Sequence, residues 1–176
     1  MSALTRTAAV AAYLATIVAA NWLTAHYGLV PVGFGLLATA GTYAAGLAFV
    51  ARDAVQDTSG RIVALGALVA GCALSWWLST PALALASLVA FGMSELADMA
   101  IYTPLRRRGY VRAAVASNLV GSVVDTVVFL WLAGFGLAPL VVAGQLAGKA
   151  WITAAVVAVV VIARAVLRNR VRPEGA

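Results

Sequence analysis

The chain has 176 residues, 64% of them hydrophobic and only 10% charged, with a formal net charge of +6. A soluble domain carries charge on about a quarter of its residues, so this composition excludes a fold with a water-wetted surface and points to an integral membrane protein. The surplus positive charge reads as a topology signal rather than as a nucleic-acid footprint. The single cysteine, Cys72, excludes an intramolecular disulfide and reads as a small buried apolar residue.

A span needs about 20 mostly apolar residues. Hydropathy predicts six, over about 7–26, 32–51, 62–79, 82–104, 113–133 and 138–163. The first follows a short basic start. It resembles a signal peptide but lacks a small-residue cleavage site, so it is expected to stay as a span. The second ends in GLAFVARD, whose Arg52-Asp53 pair is expected to be solvated at the interface. No charge separates Ile62 from Ser94. A single helix over that run would be about 50 Å long, against a hydrocarbon core of ~30 Å. Ser79-Thr80-Pro81 therefore divides it into the third and fourth spans.

The arginines test this count. With six spans, Arg6, Arg52, Arg61, Arg106–Arg108, Arg112, Arg164, Arg168, Arg170 and Arg172 all fall on one side. The positive-inside rule makes that side cytoplasmic, with both termini on it. The connections are short, so the whole chain reads as one all-α domain of six transmembrane helices in the cytoplasmic (inner) membrane. P-loop, GxSxG, HExxH and CxxC motifs are absent. No catalytic residue, resident cofactor or metal, and no ATPase or nucleic-acid partner, is expected. Self-association is left open.

A charge at the centre of a lipid-exposed helix costs about 2.5–3.5 kcal/mol, yet Glu95, Asp98, Asp125 and Lys149 all lie within spans. Helical spacing puts Glu95, Asp98 and Tyr102 on one face of the fourth span, and Asn118, Ser122 and Asp125 on one face of the fifth. Gln145, Lys149 and Thr153 share a face of the sixth, and Asn21 and Thr24 a face of the first. Lipid does not solvate such stripes, so they are expected to face one another around a polar chamber. Lys149 could neutralise one acid as a structural pair. The remaining carboxylates could be protonated, pair with Arg52 or Arg106, or await a ligand. Trp22 beside Asn21 and Trp151 near Lys149 are candidate stacking platforms, with lipid contact the alternative.

Three ordered stretches, SELADMAIYTPLRR, SNLVGSVVDTVVFLWLAGFG and GQLAGKAWIT, resemble the VUT family of queuosine precursor transporters. The likeness covers about residues 92–153 well. The first half matches loosely, through Asn21 and GTYAAGLAFVARD. The resemblance implies uptake of a 7-deazaguanine base such as 7-cyano-7-deazaguanine across the cytoplasmic membrane. It also implies kinship with the six-helix substrate-binding components of energy-coupling-factor transporters. It carries a substrate-binding role onto Asn21, Glu95, Asp98, Asn118, Asp125 and Lys149. A guanine-like base offers N1–H and a 2-amino group to one carboxylate. Glu95 or Asp98 is expected to read that edge, with Asp125 and Asn118 opposite. The alternatives are another cargo, such as a vitamin, and a membrane enzyme holding Mg²⁺ through Glu95, Asp98 and Asp125.

Overall fold

The computed structural model describes residues 3–108 and 110–171. It is an all-α membrane protein. Helix α1 (Ala3–Tyr27) leads into a short hairpin, β1 (Leu29–Gly33) and β2 (Leu36–Thr39). Then follow α2 (Thr42–Ser59), α3 (Arg61–Leu78), α4 (Pro81–Leu105), one 3₁₀ turn (Arg106–Arg108), α5 (Tyr110–Leu132) and α6 (Pro139–Val171). Four of these helices, α1, α3, α4 and the Pro139–Val156 part of α6, are long and apolar enough to cross a membrane.

The breaks follow local chemistry. Pro139 opens α6, and Pro81 opens α4, where the hydroxyl of Thr80 accepts the Leu83 amide at 3.3 Å. The division at Ser79-Thr80-Pro81 is therefore where the sequence places it. The last helix continues the basic tail as far as Val171, beyond the expected 163. Arg172 lies outside the described residues.

The second helix differs from expectation. Hydropathy starts it at residue 32, but residues 29–39 form an antiparallel hairpin and α2 begins at Thr42. Its turn uses Gly33, Phe34 and Gly35, all at positive φ, two of them glycines that adopt this region freely. Pro31 lacks the amide that a helix interior needs. An apolar run bounded by such residues suits strands, and hydropathy alone does not separate the two.

Backbone that is not helical survives at membrane depth only when buried in protein or lining a cavity. Here it is buried. The Thr39 amide donates to Gln145 Oε1 at 3.2 Å and the Thr39 hydroxyl to the same atom at 3.1 Å. The Thr42 hydroxyl donates to it as well. The Gly41 amide donates to Thr24 Oγ1 at 3.1 Å. A Cβ at Gly144 would run into the backbone carbonyl of Leu37, and one at Gly41 into that of Ala20. Neither obstacle is a side chain that can turn away. Gly144→Ala is therefore expected to lower the melting temperature of the purified protein by several degrees, the cost of overpacking being about 1–3 kcal/mol. Gly66→Ala, where the added methyl meets nothing within 4 Å, serves as the control and should leave it unchanged.

Two apolar clusters hold the helices together. Tyr13, Ile17, Ala48, Val55, Leu68, Cys72 and Phe91 join α1 to α4. Leu83, Ala90, Phe129, Leu130 and Val141 join α4, α5 and α6. Alanines among the buried residues, Ala48, Ala64, Ala67, Ala86 and Ala90, let helix backbones approach where lipid offers no hydrophobic drive.

Candidate functional site

The polar stripes do turn inward. Asn21, Glu95, Asp125, Gln145 and Lys149 are all buried. They do not enclose one chamber, however, but line two spaces.

The central cavity, of about 30 Å³, lies beneath the hairpin. Asn21 and Thr24 of α1, Thr39 and Gly41 after the turn, Ser87 and Phe91 of α4, Asp125 and Phe129 of α5 and Gln145 of α6 line it. Asn21 is 1% exposed, and its Oδ1 accepts from the Ser87 hydroxyl at 2.6 Å. Its Nδ2 has no acceptor among the described residues. Asp125 accepts from Lys149 Nζ at 2.5 Å, and the same ammonium donates to Thr126 Oγ1 at 2.8 Å. Both members of this pair are 4% exposed.

Beyond Phe91 the bundle opens into a vestibule of about 470 Å³, lined by residues that include Arg52, Arg61, Glu95, Asp98, Tyr102 and Asn118. Glu95 is committed at both oxygens. Arg52 Nη1 donates to Oε1, and Arg61 Nη2 to Oε2 at 3.2 Å. Arg52 also holds Asp53 through Nη2 at 2.7 Å and Nε at 3.1 Å. The Arg52-Asp53 pair is thus not the solvated interfacial pair that its place in the sequence suggests. Asp53 is exposed, but Arg52 is 9% exposed and turns back into the bundle. The physical reason is Glu95, a buried carboxylate that a guanidinium stabilises far better than lipid does. Of the two arginines open as partners, Arg52 is engaged; the side chain of Arg106 lies outside the described residues.

Phe49 connects the two ion pairs. Its ring centroid lies 5.7 Å from Lys149 Nζ and 5.5 Å from Arg52 Cζ, both within cation–π reach. Phe91 stacks on it with ring centroids 4.9 Å apart. Phe91 also lines the cavity.

The candidate residues are therefore divided. Asn21 and Asp125 line the cavity, and Lys149 sits at its edge through Asp125. Asp98 and Asn118 line the vestibule beside the engaged Glu95. Trp22 and Trp151 line neither space. They are 39% and 53% exposed, and Trp22 stacks on His26 at 4.1 Å. Phe91 and Phe129 are the aromatic rings on the cavity wall. Sequence reasoning named Arg52 as one possible partner for the carboxylates inside the spans, but passed over Arg61, Ser87 and Thr39.

The family model described as "Putative vitamin uptake transporter" matches residues 75–166, the stretch that holds Glu95, Asp125, Gln145 and Lys149. The chain belongs to the VUT family of membrane uptake transporters. No curated protein and no solved structure matches it. In this VUT protein the matched stretch supplies α4, α5 and most of α6. The hairpin and Asn21 lie outside it. The three acids do not converge as a metal-dependent enzyme would require. Asp125 faces the cavity while Glu95 and Asp98 face the vestibule. Among the described residues no three His, Cys, Asp or Glu side chains stand close enough to hold a metal ion.

Proposed function

We propose that this VUT protein imports a 7-deazaguanine base, such as 7-cyano-7-deazaguanine, across the cytoplasmic membrane by way of the central cavity. The observation that carries the reading is the buried Asp125 carboxylate on the wall of a largely apolar cavity inside a membrane bundle. Packing alone needs no such group, and intramembrane ionisable residues mark transport pathways. Asp125 can accept N1–H and the 2-amino group of the base together, a charge-assisted contact with two hydrogen bonds. The rings of Phe91 and Phe129 offer faces for the heterocycle, a contact worth about 1–3 kcal/mol per base.

Small-molecule pockets run to about 300–1,000 Å³, so a cavity of about 30 Å³ admits a base only when the bundle parts. The hairpin closes one end and the Arg52–Glu95–Arg61 network the other. With both termini cytoplasmic, as the arginines indicate, the hairpin faces outward and the vestibule is the exit. Asp98 and Asn118 then contact the base on its way into the cell, after Asp125 has released it. The amino edge is then read by Asp125, one oxygen of which is held by Lys149, rather than by Glu95, both of whose oxygens are held by arginines. A vitamin-type solute is the second reading, favoured by the family's description.

The test is rescue of queuosine in tRNA. The host is a bacterium lacking both its own precursor synthesis and its own transporter, fed limiting 7-cyano-7-deazaguanine. Wild type is expected to restore queuosine. Protein confirmed in the membrane with no queuosine in tRNA would sink this cargo and leave the vitamin-type solute.

A further inference from the structure

The central cavity holds more hydrogen-bond donors than its own structure uses. Gln145 Oε1 is consumed by the hairpin, since the Thr39 amide and the Thr39 and Thr42 hydroxyls all donate to it. What Gln145 leaves for the cavity it lines is its NH₂ group. At Asn21, Oδ1 is held by Ser87 and the buried Nδ2 has no acceptor among the described residues. A buried amide NH₂ with two donors and no acceptor is costly, and native structures rarely keep one without a use. Replacement by an apolar residue of the same shape would remove the cost. The polar inventory of the wall is thus two amide NH₂ groups beside one carboxylate, Asp125, whose other partner is Lys149.

We infer that Asn21, assisted by Gln145, is the specificity-determining residue of this cavity, donating to a ring carbonyl on the cargo and rejecting an amino group at the same position. The inference rests on the proposed 7-deazaguanine cargo and deepens it. Asp125 takes the donor edge of the base, N1–H and 2-amino. The 6-oxo group next to N1 accepts from Asn21 Nδ2. A 6-amino group would set donor against donor in a site closed to water. Sites built to hydrogen-bond one group discriminate by far more than an apolar pocket does.

The experiment uses the full chain purified in detergent. The melting temperature is followed against increasing 7-cyano-7-deazaguanine, or its 6-amino counterpart with the same ring, nitrile and 2-amino group, so that each base yields an apparent affinity. In wild type the oxo base is expected to bind at least ~100-fold more tightly. Changes at N1 also separate the two bases, but Asp125 reads those equally in every variant. A change in the ratio therefore isolates Asn21. In Asn21→Leu the ratio is expected to fall by about tenfold or more, one hydrogen bond's share. The ligand-free protein should melt no lower than wild type, because the orphaned donor is gone. Ser87→Ala, which frees the Asn21 carbonyl to turn toward the cargo, should lower the ratio as well and serves if Asn21→Leu binds neither base. An unchanged ratio in both variants, with the oxo base still bound, overturns the role of Asn21 and leaves the cargo standing. No response of wild type to either base overturns the cargo and this inference together.

Discussion

Arg52→Ala is expected to reduce folded yield sharply and abolish uptake, whereas the double variant Arg52→Met, Glu95→Met should recover the yield and not the uptake. The side chains of Arg52 and Glu95 are 10% and 9% exposed. Removing the arginine leaves Glu95 with Arg61 alone, which is 37% exposed and 3.2 Å away. Breaking a buried pair costs about 3–5 kcal/mol, while replacing both members by apolar residues of similar volume is often neutral. For a chain of this size that corresponds to a fall of about 6–20 °C in melting temperature. Arg61→Ala removes only a half-exposed partner and should cost less than about 1 kcal/mol. The double variant separates two roles. The network ties α2, α3 and α4 together at the vestibule end, and any apolar packing of the right volume serves that purpose. Opening and reclosing that end reversibly calls for charges that water can solvate once the helices part. Wild-type uptake in the double variant would show the network to be structural only. Size-exclusion profiles, melting curves and uptake measured on the same preparations decide it.

Much of this arrangement is legible in the sequence, and the exceptions share a cause. Helix-period spacing places Asp125, and Lys149 with Gln145, on inward faces, because a lipid-facing alternative is too costly. Ser79-Thr80-Pro81 marks a helix break through local backbone chemistry. The hairpin escapes because hydropathy over residues 29–41 is the same for strand and helix. Pro31, Gly33 and Gly35 were the local clues. The burial of Arg52 escapes because it depends on α2 packing beside α4, a contact between residues 43 positions apart. The tryptophans show the opposite failure. Trp22 adjoins Asn21 and Trp151 follows Lys149 by two, but a helix turns about 100° per residue. One or two steps along the chain therefore carry a ring away from the face that its neighbour buries, and both rings end on the outer surface.

Asp125→Asn should bring uptake to background and lower stability by about 3–5 kcal/mol, since it strands the Lys149 ammonium, itself 4% exposed, with Thr126 as its remaining partner. Lys149→Met should destabilise comparably by stranding the carboxylate. The decisive variant carries both changes, Asp125→Asn with Lys149→Met. A merely structural pair predicts that the double variant regains stability and uptake together, because no charge is left uncompensated. A cargo-binding Asp125 predicts that stability returns while uptake stays at background, because the acceptor for the base has gone. Melting temperature and queuosine rescue report the two outcomes independently. The second is expected, for a reason that also accounts for a lysine so close to the binding carboxylate. Carrying a unit charge through the membrane field costs about 2.3 kcal/mol per 100 mV. Lys149 pairs with Asp125 through Oδ2 and offsets its charge within the site. A neutral base can then be bound through a full carboxylate contact and released without a charge moving with it.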